Sequence, residues 1–470
     1  MANEPDIWRH VDANAADLIA LSNRVWGMPE TCYQETRSAA EHKVELERQG
    51  FQVTTNVAGI PTAIMGEAGE GGPVVAFLGE YDALPDLSQE ADVAEPRPVE
   101  RGGNGHGCGH NLLGSGAMLA AVAVRDWLNA TGRPGRVRYY GCPAEEGGAA
   151  KAFMVRDGAF DDVDIAITWH PHSICDVTHA DSLANARIDF TFRGRASHAS
   201  ASPHLGRSAL DAVELMNVGV NYLREHVPTE SRIHYALIDA GGIAPNVVQA
   251  NATVRYLIRS PDLAGLSPLI ERVRKVAEGA AMMTETTVEA RTLSAVSNLV
   301  PNEPLEAAMR RHLEALGPPP FDVADRRFAE EIRATFGEEE VEHALRGFGM
   351  VGEMPGPLCD RLVPAGNKRT GVGGSTDVGD VSWVVPTVQM WGATYAIGTP
   401  FHTWQMVAQG KSAAAHKGMV HASKVMAAVG QEAFEDLGLI EAAKQDLAKR
   451  TGRTPYVCPL PPETKPPLDM

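Results

Sequence analysis

The sequence is poor in the features that define several classes of protein. Its 470 residues include only six cysteines, whose positions show no paired pattern, so a disulfide framework is not expected. No apolar run is long enough to span a bilayer, and the segment Met1 to Val25 lacks the basic and apolar parts of a signal peptide. We therefore expect a cytoplasmic protein.

Basic residues are also in the minority. There are 42 lysines and arginines against 60 aspartates and glutamates, which gives a net charge of −18. Because the resulting field repels phosphates, we expect neither a nucleic acid nor an anionic membrane surface as a partner. A locally basic pocket for an anionic small molecule is still compatible with this balance.

The order of predicted elements indicates an α/β fold. The apolar run Val74–Leu78 is typical of a buried parallel strand, and strands near 137–142 and 165–169 follow it, separated by helices. The chain is too long for one ordinary core, so we predict a larger domain with a mixed, mostly parallel sheet and an inserted α+β domain. The predicted division is residues 1–183 with 301–470 for the larger domain and residues 184–300 for the insertion.

The most conspicuous motif is Gly105-His106-Gly107-Cys108-Gly109-His110-Asn111, which runs into a small, apolar helix. A thiolate and an imidazole are good ligands for zinc, and a cysteine two residues before a histidine lets both side chains converge on one point. A cysteine packed as a small hydrophobe and a histidine in a glycine turn would give the same residues. The motif alone therefore leaves both interpretations open.

Polar residues follow three successive predicted strands. They are Asp82, the pair Glu145 and Glu146, and His170. The carboxyl ends of parallel strands gather at one edge of a sheet, where sites form. Adjacent glutamates could have different roles, with Glu146 a metal ligand and Glu145 a free base. The alternative is that the pair only stabilises a helix N-terminus, where carboxylates are favoured. Asp82 is suited to fix an imidazole ligand, whereas His170 and the later His402 could each be a structural histidine.

Six motifs in order carry a family resemblance. They are Gly-Glu-Tyr-Asp-Ala-Leu-Pro (79–85), His-Gly-Cys-Gly-His-Asn (106–111), Pro-Ala-Glu-Glu-Gly (143–147), Trp-His-Pro (169–171), Gly-Arg-Ala-Ser-His-Ala (194–199) and Phe-His-Thr (401–403). Together they resemble the metallopeptidase family of aminoacylases, carboxypeptidases and amino-acid-conjugate amidohydrolases. Within it, the chain is most similar to the branch that contains the B-type chains of aminobenzoyl-glutamate hydrolase. The resemblance covers essentially the whole chain.

The resemblance implies a site for two divalent ions, zinc or manganese, in the larger domain. Glu145 would be the general base for the attacking water, and Asp82 would support a ligand. His106 fits a packing or supporting role better than that of a ligand. The implied ligands are Cys108, which would bridge the two ions, and His110, Glu146, His170 and His402.

The resemblance also implies a homodimer formed by the inserted domain. His198 would reach the partner's active site and stabilise the oxyanion. A polar loop residue is the alternative for that position, but the Gly-x-x-Ser-His context after a strand favours the functional role. Asn246 would face the substrate. A substrate carboxylate needs a cationic partner, for which we select Arg255, although it could equally be a solvated surface arginine. Further candidate carboxylate-binding residues, each of which could equally be a solvated surface arginine, are Arg193, Arg195, Arg207 and Arg259.

The implied activity is hydrolysis of the amide bond of an N-acyl amino acid. The best match is conversion of p-aminobenzoyl-glutamate to p-aminobenzoate and glutamate, with another N-acyl amino acid, deamination of an aromatic amine or a non-catalytic metal-binding dimer as alternatives. A homologous partner subunit is a further possibility. The carboxypeptidase branch has a histidine ligand at the position of Glu80. The conjugate hydrolases share the replacement of this histidine, so the difference bears on the identity of the metal and not on the type of reaction.

Overall fold

The structure, a computed structural model, describes residues 6–177, 182–353, 356–367, 374–452 and 455–469. The strands are β1 Gln52–Thr55, β2 Ile64–Glu70, β3 Val74–Glu80, β4 Gly135–Cys142, β5 Ile165–His172, β6 Asp176–Val177, β7 Ala184–Arg193, β8 Arg232–Asp239, β9 Asn251–Ser260, β10 Thr287–Val296 and β11 Thr387–Ala393. The helices are α1 Asp6–Trp26, α2 Thr36–Arg48, α3 His110–Thr131, α4 Ala150–Arg156, α5 Ala209–Leu223, α6 Leu263–Thr284, α7 Glu303–Leu316, α8 Val323–Arg333, α9 Glu338–Gly347, α10 Val378–Val384, α11 Trp404–Gln409, α12 Ala413–Glu435 and α13 Leu437–Thr451.

Seven strands form a mixed sheet in the order β1-β2-β4-β3-β5-β11-β6. The central strands β4, β3, β5 and β11 are parallel, and antiparallel strands lie at both edges. Every residue of β3 is buried, as expected for a strand covered on both faces. The prediction of a mixed α/β sheet with a parallel centre is confirmed. Since β3, β4 and β5 point the same way, the loops that follow them meet at one edge.

Helix α3 fixes the position of the Cys108 motif relative to that edge. It packs between the sheet and the helices α1 and α12. Glycines are required in α3 because the helix backbone lies very close to the sheet. A Cβ at Gly114 would lie 2.5 Å from the Glu80 carbonyl oxygen, and one at Gly116 would lie 2.8 Å from the Trp169 ring. The sequence of α3 therefore lets its N-terminus reach the carboxyl end of β3.

The second sheet is antiparallel, in the order β10-β7-β9-β8. Alternate residues of β7 and β9 are buried against α5 and α6, and the residues between them form a polar face. Sequence analysis did not predict β8, an edge strand that is exposed on both faces over most of its length. Such a strand shows no alternation of buried and exposed residues.

In the part of the chain that the structure describes, no helix combines the length with the apolar character that crossing a membrane requires.

Candidate metal centre and active site

Cys108 and His110 lie on either side of Gly109, the N-cap residue of α3. Gly109 caps the helix in a left-handed conformation, with φ of 79°. A Cβ at this position would overlap the Tyr395 hydroxyl, so both the conformation and the space require glycine. Cys108 is nearly buried and His110 is fully buried. The tight turn brings both side chains to the carboxyl edge of the sheet, as predicted.

Two groups of potential ligand atoms share Cys108. One consists of Cys108, His110 and His170, and the other of Cys108, Glu146 and His402; within each group the atoms lie within 4.8 Å of one another. The Cys108 Sγ is 3.5 Å from His170 Nε2, and His402 Nε2 is 3.4 Å from Glu146 Oε2. The structure thus brings together all five residues predicted as ligands, with the cysteine between two sets.

Both histidines of the first group are oriented by hydrogen bonds. His110 Nδ1 donates to Asp82 Oδ1 at 2.8 Å, and His170 Nδ1 donates to the Pro171 carbonyl at 2.8 Å. These bonds place the proton on Nδ1 and leave each Nε2 free to coordinate a metal. Burial opposes ionisation of Asp82, but the adjacent His110 and a backbone amide bond outweigh it and lower the Asp82 pKa.

The loop after β4 carries both glutamates. Ala144 adopts a left-handed conformation with φ of 57°, and its amide donates to Glu35 Oε1 at 2.9 Å. The Glu146 amide donates to Asp82 Oδ2 at 2.9 Å. Strained backbone of this kind persists where surrounding contacts hold it. Glu146 therefore faces the Cys108 groups, while Glu145 belongs to a third group, with Glu80 and His110, whose potential ligand atoms also lie within 4.8 Å of one another.

The electrostatics of the site suit bound cations. Burial raises the pKa of Glu145 well above its usual range, and the carboxylates of Glu80, Glu146 and Asp377 add to the effect. Burial and the Glu146 carboxylate likewise raise the pKa of the Cys108 thiol. A thiolate at this position needs a compensating positive charge, which a divalent ion supplies.

Buried polar atoms without a hydrogen-bond partner indicate whether these residues could hold metal ions. Among the described residues, His110 Nε2 and Glu146 Oε1 are buried and have no hydrogen-bond partner. Buried polar atoms without partners are rare and need an explanation. Sulfur, imidazole nitrogen and carboxylate oxygen are the ligands that zinc prefers, and a closely spaced donor set of this kind fits divalent metal. The residues fit the predicted centre.

A buried lysine beside the site was missed by sequence analysis. The Lys151 ammonium lies 2.6 Å from Glu80 Oε1 and 2.6 Å from Asp377 Oδ1, and its side chain has no exposed surface. Burial lowers the pKa of Lys151, but the two carboxylates outweigh this effect and raise it well above its usual range. Glu80 Oε2 lies 3.3 Å from His110 Nε2. Glu80, which replaces a histidine of the carboxypeptidases, is thus tied to a lysine.

A cavity of about 560 Å³ opens onto the ligand groups. The large sheet and the loop after it contribute aromatic side chains, with the His172 ring centroid 4.9 Å from that of Trp391 and 5.4 Å from that of Phe401. The polar face of the second sheet contributes Arg187 and Arg259. The cavity can therefore hold an aromatic group and an anion next to the metal centre.

Of the residues predicted to face the substrate, Arg259 lines this cavity, whereas six others do not: His198, Asn246, Arg255, Arg193, Arg195 and Arg207. His198 and Asn246 are exposed on adjacent loops, where the Ala199 amide donates to the Asn246 carbonyl at 3.0 Å. The Arg255 guanidinium pairs with Asp189 through bonds of 2.7 and 2.9 Å. The structure instead places Arg187 in the cavity, and the alternation along β7 could have marked it as a cavity-facing candidate.

His106 is buried outside the ligand groups. Its Nε2 lies 3.1 Å from the Val25 carbonyl oxygen, to which it donates in the neutral tautomer. Burial lowers the pKa of His106 to about 4, and the neighbouring His110 adds to this effect. The observed contact suits the packing role that sequence analysis favoured.

Comparison with known proteins places this fold and site in a family. Residues 76–357 match the model of Peptidase family M20/M25/M40. The chain belongs to this family. It is 46% identical to the B chain of the p-aminobenzoyl-glutamate hydrolase of Escherichia coli (strain K12), in an alignment that covers 98% of this chain and 99% of that protein.

Two solved structures share the fold. The aminobenzoyl-glutamate utilization protein of Klebsiella pneumoniae has a TM-score of 0.59 at 19% identity, covering 91% of this chain and 98% of its own. The YXEP protein of Bacillus subtilis, described as a dinuclear metal binding peptidase, has a TM-score of 0.53 at 16% identity, covering 88% of this chain and 99% of its own. At these identities the similarity concerns the fold alone.

Proposed function

We propose that this chain is a metal-dependent amidohydrolase that converts p-aminobenzoyl-glutamate and water to p-aminobenzoate and glutamate. The observation that carries the proposal is the pair of ligand groups sharing Cys108, with the Glu145 carboxylate beside them and outside both of these groups, close to Glu80 and His110. A site that only bound metal would have no use for such a base. The relationship to the Escherichia coli hydrolase supports the choice of substrate.

In this proposal each residue of the site has a defined task. Glu145 takes a proton from the attacking water and returns it to the leaving amine, and its raised pKa suits both steps. Two divalent ions held by the Cys108 groups would polarise the scissile carbonyl and the attacking water. Thiolate and imidazole ligands favour zinc, whereas the carboxylates also admit manganese, so zinc and manganese are the proposed metals.

The cavity supports an aryl-acyl substrate. Phe401 is 40% exposed and, with Trp391 and His172, offers aromatic surface next to His170. A p-aminobenzoyl ring can pack on these side chains. Arg259, whose Nη1 donates to Ser375 Oγ at 2.9 Å, is available for a carboxylate of the leaving glutamate.

We further propose that residues 184–300 form the inserted domain and that it makes a homodimer, with residues 1–183 and 301–470 forming the catalytic domain. β8 is an edge strand that exposes Leu237 and Ile238, and the neighbouring α5 exposes Tyr222 at 73%. An unpaired apolar edge of this kind is a ready site for pairing with a second copy. The Escherichia coli relative is named as one of the subunits of its hydrolase, which makes a homologous partner chain a further candidate.

The dimer would give His198 a task that it cannot perform within its own chain. Its Nδ1 accepts hydrogen bonds from the amides of Ser200 and Ala201, at 3.3 and 3.1 Å. The proton therefore lies on the exposed Nε2, which can donate to an oxyanion in the partner's site.

The test is release of p-aminobenzoate by purified protein after chelation and after zinc or manganese is added back. We expect metal-restored turnover that falls about 10²- to 10⁴-fold in Glu145→Gln with metal content unchanged. Glu314→Gln, on the exposed surface of α7, is the matched control. If neither metal restores turnover of p-aminobenzoyl-glutamate while another N-acyl amino acid is cleaved, the proposed substrate is wrong and the proposed active site still stands.

A further inference from the structure

The polar face of the second sheet carries an excess of positive charge. On β7 this face includes Arg187 and Asp189, and on β9 it includes Arg255 and Arg259. Asp189 lies directly opposite Arg255, and the two form a bidentate pair. The only carboxylate of these four side chains is therefore paired with Arg255, and among the described residues neither of the two arginines that line the cavity forms an ion pair.

Arg187 is the less expected of these two. It is half-buried, and among the described residues no carboxylate forms an ion pair with it. Its Nη1 donates to the Gly147 carbonyl at 3.2 Å, next to the loop that carries Glu145 and Glu146. Burial lowers the pKa of the guanidinium, and the nearby Arg255 adds to the effect. A partly buried cation without a counter-charge is costly unless an anion binds there.

We propose that Arg187 is a specificity-determining residue that binds the side-chain carboxylate of the amino-acid half of the substrate and makes the enzyme prefer conjugates of acidic amino acids. This inference rests on the proposed amidohydrolase function. Across the β7–β9 pair, Arg187 is opposite Leu257 and Asn185 is opposite Arg259, so Arg187 and Arg259 are diagonal neighbours on one face. Two neighbouring cations match the two carboxylates of glutamate.

Arg187 could instead serve only to hold the Gly147 carbonyl. That contact uses one N–H of a guanidinium, and the rest of the fork stays available for bidentate recognition of a carboxylate. The two roles predict different consequences. Loss of a purely structural bond would weaken the processing of all conjugates alike, whereas loss of a carboxylate partner would affect only conjugates that carry the extra charge.

The experiment compares p-aminobenzoyl-glutamate with p-aminobenzoyl-glutamine, which has nearly the same shape and lacks the side-chain charge. In the zinc-reconstituted enzyme we expect kcat/KM to favour the glutamate conjugate by about tenfold to hundredfold. In Arg187→Gln the ratio should fall close to one, mainly through a higher KM for the glutamate conjugate. Arg291→Gln, which removes an exposed arginine from the neighbouring strand β10 outside the cavity, should keep the wild-type ratio.

Binding is measured separately from turnover to keep the two proposals apart. Calorimetric titration of both conjugates into zinc-loaded Glu145→Gln, with and without Arg187→Gln, reports the same selectivity without chemistry. Loss of selectivity on removing Arg187 supports the inference even if wild-type turnover is absent, a result that would overturn only the proposed function. An equal loss for both conjugates, or an unchanged ratio, would overturn the role of Arg187 and leave the proposed function standing.

Discussion

Asp82 holds His110 by a hydrogen bond of 2.8 Å between Oδ1 and Nδ1, and both side chains are buried. The second oxygen of the same carboxylate accepts the Glu146 amide at 2.9 Å. One aspartate therefore orients a member of each ligand group around Cys108. Such supporting contacts fix the orientation of the ligands and tune their basicity, although the supporting residue does not bind the metal itself.

Replacing Asp82 with alanine should weaken metal binding without removing any ligand. We expect about a 10- to 100-fold lower affinity for zinc, because His110 and the Glu146 loop lose their common anchor. Competition with a chromophoric chelator measures this affinity, and Asp82→Asn is the conservative comparison. A variant that folds and binds zinc as tightly as wild type would contradict the assigned role.

The number of bound metal ions should distinguish the role of Cys108 from that of His402. Cys108 belongs to both ligand groups, whereas His402 belongs to one. We expect Cys108→Ala to lose both ions and His402→Ala to lose one, as measured by elemental analysis after dialysis against buffered zinc. Equal stoichiometry in the two variants would exclude a bridging cysteine.

Mixing two inactive variants should restore activity if His198 acts across a dimer. In a dimer of Glu145→Gln with His198→Ala, one site has its own Glu145 and receives His198 from the partner. We expect activity to appear only after the protomers exchange, with each separate variant nearly inactive. If His198 acted within its own chain, both sites of the mixed dimer would be defective and no activity would return.

Lys151→Met should strongly destabilise the fold. The variant leaves Glu80 and Asp377 buried without their counter-ion, and breaking a buried pair in this way costs about 3–5 kcal/mol. Lys424→Met, which removes a more exposed pair with Asp12, should cost about 1 kcal/mol or less. Urea unfolding of the metal-free proteins gives both values. Similar losses in the two variants would mean that the buried network contributes little.

His421 should make the fold sensitive to mild acid. Burial lowers its pKa from 6.5 to about 4, and its Nε2 donates to the Gly317 carbonyl at 2.7 Å. Between these two pH values the unfolded chain binds a proton at His421 and the folded chain does not. The free energy of unfolding therefore falls as pH drops from about 6.5 to 4, by up to about 3 kcal/mol. His421→Gln should flatten this part of the pH profile; an unchanged slope would show that other groups cause it.

The structure brings the five predicted ligand residues together, and part of the information for this lies in local sequence. Buried strands such as β3 have unmistakable apolar runs, and parallel strands deliver the residues that follow them to a common edge. The residues after β3, β4 and β5 are therefore expected at one edge, and the resemblance to the metallopeptidase family adds His402 and assigns the ligand roles. The polar and acidic stretches that form α8 and α9 carry a weaker signal, because amphipathic surface helices bury few residues.

The sequence alone determined the α/β class and the parallel centre of the sheet, since apolar periodicity and strand order encode them, and its ordered motifs implied the residues around Cys108 through their family resemblance. Only the tertiary structure decided that Lys151 is buried between two carboxylates and that Arg187, rather than Arg255, faces the cavity. Both outcomes depend on which charged side chains become neighbours. That choice is set by strand register and long-range packing: the alternation along β7 marks Arg187 as a candidate on the polar face, but which residues of that face meet the cavity depends on the packing.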